Sequence, residues 1–358
     1  MKVLIATGGS GGHIFPALAT AHHFRAQGHE VSLAGVFGLW AERVAKGPFP
    51  LTEISARGLN TRCFSSVGIS SIYMLKSLRE SVILLRQQAP QVVLGFGGYA
   101  AFPVVLAAFF LRIPTMIHEQ NACPGRANRL LKYGVNRIAV SFDETRRYFP
   151  PQKTVVTGYP LYRWGDPVLK KAEAAAVFGL KSDIFTILVL GGSQGSQAIN
   201  RCFVDASAAW KTMAPFQVIH ITGRKDYREV LNAYGDQGRL SFVTPFWDNM
   251  PAAYRAADLV VSRSGAGTIN EIAAYGLRAV LIPYPHAQGH QIENAQILIR
   301  AGKAQMIEQK DLTPDKLGDT LQSLYKVTQG AGDARQPDTF VKADAAERIL
   351  REVLELQR

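Results

Sequence analysis

The tightest constraint on the fold is a pattern that occurs twice. "LIATGGSGG" (4–12) and "LVLGGSQGS" (188–196) each run from an aliphatic stretch into Gly-Gly-Ser-x-Gly, and Gly191 follows Gly8 by 183 residues, about half of the 358 in the chain. A short apolar run that ends in glycines and leads into a helix-length amphipathic segment opens a βαβ unit, whose parallel strands need crossover helices. Two copies half a chain apart predict two similar α/β domains, and the length suits two. Short β-branched or aliphatic runs predict strands at 3–6, 31–34, 92–94, 115–117, 137–140, 186–190, 217–221, 259–262 and 279–282. The Pro- and Gly-rich "GYPLYRWGDP" (158–167) is the expected hinge. The expected N-terminal domain is 1–160, the expected C-terminal domain 161–340, and a last helix within 341–358 is expected to pack back on the first.

Composition narrows the function classes. A net charge of +12, from 40 Lys and Arg against 28 Asp and Glu, calls for an anionic partner: nucleic acid, a phosphorylated substrate or an acidic membrane face. The cations are dispersed and no nucleic-acid motif is present, which argues against nucleic acid. Cys63, Cys123 and Cys202 lie far apart with no CxxC, so neither a disulfide framework nor a thiolate metal site is expected and a reducing cytoplasm fits. The start of the chain lacks a secretory pattern. The longest apolar stretch, "VVLAAFFL" (104–111), is under half of the about 20 residues that span a bilayer, so no membrane crossing is expected.

The glycine loops carry the chemistry. Loop 8–12 lacks the third glycine of a dinucleotide fingerprint, where Ile14 stands, and lacks the Lys-Ser or Lys-Thr of a P-loop. What remains is a turn that either simply reverses the chain or offers backbone N–H groups at a helix N-terminus to an anion. "GFGGYAAFP" (95–103) either extends that anion site through Gly97 and Gly98 or forms a plain turn with Tyr99 packed on the core. In the second half, "SRSGAGTINEIAAYG" (262–276) opens a helix with Glu271 about one turn in. A carboxylate there accepts from a ribose diol or merely complements the helix dipole. "PYPHAQGHQIENAQ" (283–296) is rich in amides and imidazoles, which suit neutral sugar hydroxyls. Gly191, Gly192, Ser193, Gly265 and Gly267 for a diphosphate, Glu271 for ribose, and His290, Gln291 and Asn294 for a hexose together make an inventory for a nucleotide sugar. No D-x-D occurs, so a departing diphosphate is expected to be held by helix N-termini and hydroxyls.

"GGSGGHIFPALA", "GFGGYAAFP", "HEQN" (118–121), "GGSQGSQAIN" and "RSGAGTINEIAAYG" recur in the order seen in the MurG family, the N-acetylglucosaminyltransferases of peptidoglycan assembly, and the chain resembles that family from residue 1 to about 301. The resemblance implies the GT-B fold, two Rossmann-like α/β domains separated by a cleft. It implies an inverting transferase with UDP-N-acetylglucosamine as donor and undecaprenyl-diphospho-N-acetylmuramoyl-pentapeptide as acceptor, peripheral at the cytoplasmic face of the inner membrane. No cofactor and no protein-held metal is implied; assistance by a free divalent cation is left open. Carried over by position, Ser193, Arg263, Ala266, Gly267, Thr268, Glu271, His290, Gln291 and Asn294 fall on the donor side. Ser10, Gly11, Gly12, Gly97, Gly98, Tyr99 and Asn121 fall on the acceptor side. His13 is the expected general base, because an imidazole, whose ordinary pKa is about 6.5, suits proton transfer at neutral pH, and Glu119 is the alternative. The family often has glutamine where His290 stands, which leaves its hydroxyl contact open, and Asn-Pro-Val-Arg where Tyr159 to Arg163 stand, so the role of that arginine is not carried over to Tyr162 or Arg163. The competing readings are a diacylglycerol glycosyltransferase and a UDP-N-acetylglucosamine 2-epimerase.

Membrane contact is expected on a separate ground. In segment 69–86, Ile72, Leu75, Leu78, Val82 and Leu85 form a stripe whose spacing predicts burial, while Tyr73, Met74, Ile83 and Leu84 sit among Lys76, Arg79 and Arg86. Phe109 and Phe110 are followed by Arg112. Apolar residues ringed by basic ones suit an anionic leaflet.

Overall fold

The computed structural model describes residues 1–57, 64–162, 169–192, 194–209, 215–287, 289–330 and 336–357. Ser193, Cys63 and the hinge residues from 163 onward lie outside these. Two compact units result: Met1–Tyr162 with Lys342–Arg358, and Arg163–Val341.

In the first unit the described residues form strands β1 (Lys2–Gly8), β2 (Glu30–Val36), β3 (Leu51–Glu53), β4 (Val92–Gly95), β5 (Thr115–Glu119), β6 (Arg137–Val140) and β7 (Thr154–Val156). They pair in the order β3-β2-β1-β4-β5-β6-β7, all parallel. The second unit has β8 (Phe185–Leu190), β9 (Phe216–Ile221), β10 (Ser241–Thr244), β11 (Leu259–Ser262), β12 (Arg278–Leu281) and β13 (Ala304–Met306). Their order is β10-β9-β8-β11-β12-β13, again all parallel. These are the two α/β sheets the sequence predicts. All nine expected strands are present with ends shifted by at most two residues. The four unexpected ones, β3, β7, β10 and β13, are the four sheet edges.

Strand period decides how each sheet is covered. Side chains alternate between faces, so Val3 and Ile5 of β1 pack with Ile14, Ala17, Leu18, Ala21 and Phe24 of the helix Gly11–Ala26. Leu4 and Ala6 pack on the other face with Ala101, Val104, Val105 and Ala108 of the helix Gly98–Phe110. In β8, Leu188 and Leu190 serve one layer and Ile187 and Val189 the other. A strand buried on both faces must be apolar throughout, which is why these runs stand out in the sequence. The helix Ala345–Glu355 joins the first of these layers through Ile349, Leu350 and Val353. Arg137 adds ion pairs to Glu352 at 3.2 Å and Glu355 at 3.1 Å.

The helix Phe64–Gln88 corrects one expectation. Ile72 and Leu75, predicted to be buried, are 67% and 69% exposed, and Leu84, counted as surplus, is buried. The buried face instead carries Ser77 and Ser81 beside Leu84 and Leu85. Their hydroxyls bond back to the carbonyls of Met74 (3.0 Å) and Ser77 (2.7 Å), so they are satisfied inside the helix. Apolar spacing alone misses a face built from serine. The consequence is an outward stripe of Ile72, Lys76, Arg79, Ile83 and Arg86.

In both sheets the chain order reverses beside the central strand, between β1 and β4 and between β8 and β11. Open α/β sheets bind ligands at the carboxyl ends of strands at such a reversal. β1 ends at Gly8, with φ +144°, where a Cβ would stand 2.2 Å from the Val36 carbonyl oxygen. No side chain fits there.

Packing of the last helix makes a testable demand. Ile349→Ala should cost about 2–5 kcal/mol, read as a lower urea midpoint for the first unit; an unchanged midpoint would mean that this helix contributes no core.

Candidate functional site

In the first unit three loops, after β1, β4 and β5, meet around His13. Helix Gly11–Ala26 starts at Ser10, an exposed N-cap whose side chain makes no capping bond, while its carbonyl accepts the N–H groups of His13 and Ile14 at 3.1 Å each. A Cβ at Gly12 would stand 3.8 Å from Ser10 Oγ, whereas Gly11 is buried, with Phe15 and Trp40 where its Cβ would be. Gly97 caps the helix Gly98–Phe110. Side chains at Gly98 and Gly97 would meet the His13 ring at 3.2 and 3.6 Å, and one at Gly9 would meet the Tyr99 ring at 3.1 Å. The two glycine loops thus lie against each other with His13 and Tyr99 between them. Tyr99 is 37% exposed, so it is not a core residue.

Behind His13 runs a line of hydrogen bonds. His13 Nδ1 lies 3.0 Å from Gln120 Oε1, Gln120 Nε2 lies 3.1 Å from His118 Nδ1, and His118 Nε2 lies 2.9 Å from the Gly158 carbonyl oxygen. Gln120 and His118 are buried. Burial drives the His118 pKa down to about 4, opposed by its bond to Gly158, so the ring is neutral at physiological pH. Glu119, also buried, faces the other way. Its Oε1 accepts Asn121 N and Nδ2 at 3.0 Å each, and its Oε2 accepts Gly125 N at 3.1 Å and Asn128 Nδ2 at 2.8 Å. Four N–H donors on one carboxylate pin the turn that carries Asn121. Asn128, which sequence reasoning passed over, is buried beside Gly97, and its Oδ1 has no partner among the described residues.

In the second unit the loops after β8, β11 and β12 are tied together. Arg263, at the end of β11, is buried and donates to the carbonyls of Ile282 (3.0 Å) and Pro283 (3.1 Å), to Ser196 Oγ (2.7 Å) and to Gln309 Oε1 (2.6 Å). Burial lowers its pKa from the ordinary value. Its guanidinium holds the glycine loop 191–196 against the loop that follows β12. Gln291 Oε1 accepts Ser264 N (3.3 Å) and Tyr284 N (2.8 Å), Ser264 Oγ donates to Gln291 O (2.8 Å), and Asn294 Nδ2 donates to Ser264 O (3.1 Å). The helix His290–Arg300 is thereby locked to the helix Ala266–Ala274, whose first residues include Ala266, Gly267 and Thr268. Glu271 accepts from Tyr254 Oη at 2.8 Å; burial raises its pKa while that bond opposes the shift. Ser193 lies outside the described residues.

A second buried histidine sits in this unit. His220 meets Tyr234 Oη at 2.8 Å and Asn200 Oδ1 at 3.0 Å, and burial lowers its pKa to about 3. His118 and His220 are neutral when folded but titrate at about 6.5 when unfolded, so each contributes stability above pH 6.5. That stability is lost as pH falls from about 6.5 toward 4 for the first unit and toward 3 for the second. Urea midpoints should drop as pH falls below about 6.5, with the folded His118 and His220 rings protonating in imidazole NMR only near pH 4 and 3; protonation of either ring in the folded protein near pH 6.5 would contradict the burial described.

Comparison with known proteins places this geometry. Residues 3–140 match the glycosyltransferase family 28 N-terminal domain, and residues 186–349 match the glycosyltransferase family 28 C-terminal domain. A relative from Syntrophus aciditrophicus (strain SB) is 39% identical over 333 residues, covering 91% of this chain and 90% of that one. One from Halothermothrix orenii (strain H 168 / OCM 544 / DSM 9562) is 40% identical over 339 residues, covering 90% of each. Both are UDP-N-acetylglucosamine--N-acetylmuramyl-(pentapeptide) pyrophosphoryl-undecaprenol N-acetylglucosamine transferases. The crystal structure of Acinetobacter baumannii MurG superposes with a TM-score of 0.74 at 28% identity over 99% of both chains. A UDP-GlcNAc 2-epimerase from Neisseria meningitidis gives 0.70 at 12% identity, over 99% of this chain and 100% of that one, a likeness of fold alone.

Proposed function

The chain belongs to glycosyltransferase family 28, and on that premise we propose that it transfers N-acetylglucosamine from UDP-N-acetylglucosamine to the 4-hydroxyl of undecaprenyl-diphospho-N-acetylmuramoyl-pentapeptide in peptidoglycan synthesis. The observation that carries this reading is a pair of glycine loops of one design, one per unit, of which, among the described residues, only the first has a histidine lodged against it. Both substrates are diphosphates, and each loop offers backbone N–H groups at a helix start to one of them. The near full-length relatives bear the name of this reaction.

The first unit takes the acceptor. Ser10, Gly11, Gly12, Gly97 and Gly98 cradle its diphosphate, with Tyr99 and Asn121 at the rim. His13 removes the 4-hydroxyl proton as that oxygen attacks the anomeric carbon from the side opposite UDP. The new C–O bond forms as the bond to UDP breaks, the diphosphate leaves with the electron pair, and His13 returns its proton to solvent. A β-1,4-linked disaccharide results. Glu119, with both oxygens already accepting, organises the acceptor turn and leaves the base role to His13. The second unit takes the donor. The N–H groups of Gly267 and Thr268, with Ser193, hold the leaving diphosphate, which needs no protein-held metal. Glu271 meets the ribose, and Gln291, Asn294 and His290 line the sugar. Arg263 and Ala266 shape this pocket, the arginine by clamping its loops.

The acceptor lipid calls for a membrane face, and the first unit has one. Ile72, Leu75 and Ile83 of the helix Phe64–Gln88, Phe109 and Phe110 at the end of the helix Gly98–Phe110, and Leu130 and Tyr133 just beyond are all exposed. These helices pack on one another, and the Phe109 ring lies against Gly134. Lys76, Arg79, Arg86, Arg112, Arg126, Arg129 and Lys132 intersperse them. Each cation near an anionic leaflet contributes about 1 kcal/mol. Helix Gly98–Phe110 connects the two features: its 13 residues span roughly 20 Å at about 1.5 Å each, from the diphosphate loop to the apolar patch. Among the described residues no helix is long and apolar enough to cross a membrane. The enzyme works from the cytoplasmic face as a peripheral protein.

Labelled N-acetylglucosamine should pass from its UDP donor to a short-chain lipid-linked muramyl-pentapeptide only when that acceptor is present, and His13→Ala should lower kcat by about 10²–10⁴-fold while sparing donor binding. Consumption of the nucleotide sugar without acceptor would favour the epimerase reading, and near-normal turnover in the variant would remove His13 as base. Reversing the charge of Lys76, Arg79 and Arg86 together should weaken binding to anionic vesicles by on the order of 100-fold, the sum of about 1 kcal/mol each; unchanged binding would place the docking face elsewhere.

A further inference from the structure

We propose that Gln120 and His118 are positioning residues that set the tautomer of His13, placing the proton on Nδ1 and the lone pair on Nε2. The inference rests on the reading of His13 as the base and says which of its nitrogens does the work. It follows from a chain of donors and acceptors that begins at a group with no choice. The Gly158 carbonyl oxygen can only accept, so His118 Nε2, 2.9 Å away, must carry a proton. A neutral imidazole then has only a lone pair at Nδ1, and the group 3.1 Å from it, the Gln120 amide, must turn its NH₂ that way. The same NH₂ also lies 3.2 Å from the carbonyl oxygen of His118, a second acceptor that demands the same orientation. Gln120 Oε1 is left facing His13 Nδ1 at 3.0 Å, and an amide oxygen can only accept. His13 therefore donates from Nδ1.

The other nitrogen, Nε2, is left without a partner among the described residues and lies along the backbone of Gly98, 3.5 Å from where a Cβ would stand. That is the face on which the acceptor diphosphate is expected. A base whose second nitrogen is held by a neighbouring acceptor is the arrangement that keeps an imidazole ready to receive a proton at the first. The protein keeps this line dry and neutral: Gln120 and His118 are buried, and Phe96 stacks on His118 at 5.2 Å. The anchor at its end is itself held, because Lys342 and Ala345 of the last segment pack directly over Gly158.

The test reads the proton directly. With ¹⁵N-labelled histidine, the long-range ¹H–¹⁵N correlations of the His13 ring, assigned by their loss in His13→Ala, should show a neutral Nδ1–H tautomer in the wild-type protein. Gln120→Leu should abolish that single tautomer and lower kcat by roughly 10- to 100-fold, the scale for groups that orient a working histidine, with the donor KM unchanged. An Nε2–H tautomer in the wild type, or wild-type kcat in Gln120→Leu, would overturn the proposal. Should Gln120→Leu fail to fold, the wild-type tautomer alone decides. Absence of any transfer by the wild type would instead sink the reaction assigned above, and the tautomer would remain measurable.

Discussion

Each half of this protein hangs on one strand buried on both faces whose carboxyl end has no room for a side chain. β1 and β8 sit where the strand order reverses, so the chain leaving them must turn sharply before it can cover the sheet. At Gly8 the Val36 carbonyl occupies the place of a Cβ, and at Gly191 the Ser196 amide nitrogen would lie 2.2 Å from one. The turn that satisfies this packing demand also leads straight into a helix start, at Gly11 in the first unit and Gln197 in the second. On the function proposed above, core packing and phosphate binding ask for the same glycines.

What differs between the halves is the dressing of that shared frame. In the first unit the loops converge on an imidazole backed by neutral, buried groups, an arrangement that handles a proton. In the second they converge on amides, hydroxyls and a carboxylate, with Arg263 buried behind them as a clamp on four acceptors, the set proposed above for hydroxyls and diphosphate oxygens. Both units bury a histidine that burial keeps neutral, His118 at about 4 and His220 at about 3. His220 joins helix Gln197–Ala209 to its sheet through Asn200, whereas His118 ends one residue short of His13, the proposed base. The same physical device is structural in one unit and directional in the other.

The legible part of the fold was the part buried on both faces. Central strands are continuous apolar runs, so nine could be read directly, whereas β3, β7, β10 and β13 are edges of three or four residues, mostly half-buried, with no such run. Helix Phe64–Gln88 misled because serines that bond their own helix can face a core, and the residue types that normally mark a core then face outward. The glycine loops, His13 and Glu271 stand out as candidates because glycine clusters at strand ends mark helix starts that can hold anions. Gln120, His118 and Asn128 could not be assigned, although "HEQN" was visible, because their roles lie in who donates to whom. That depends on Gly158, 40 residues from His118 in sequence, and on a buried amide whose orientation no spacing encodes.

The central claim is that the duplicated loops hold two different diphosphates. Amide hydrogen exchange, measured with UDP-N-acetylglucosamine alone and with a lipid-diphosphate acceptor analogue alone, tests it most directly. The donor should protect the amides of Gly192 and of residues 265–268 and leave residues 9–12 and 97–99 unchanged, and the acceptor analogue should do the reverse. Protection of the same loops by both ligands, or protection of the first unit's loops by the nucleotide sugar, would contradict the account.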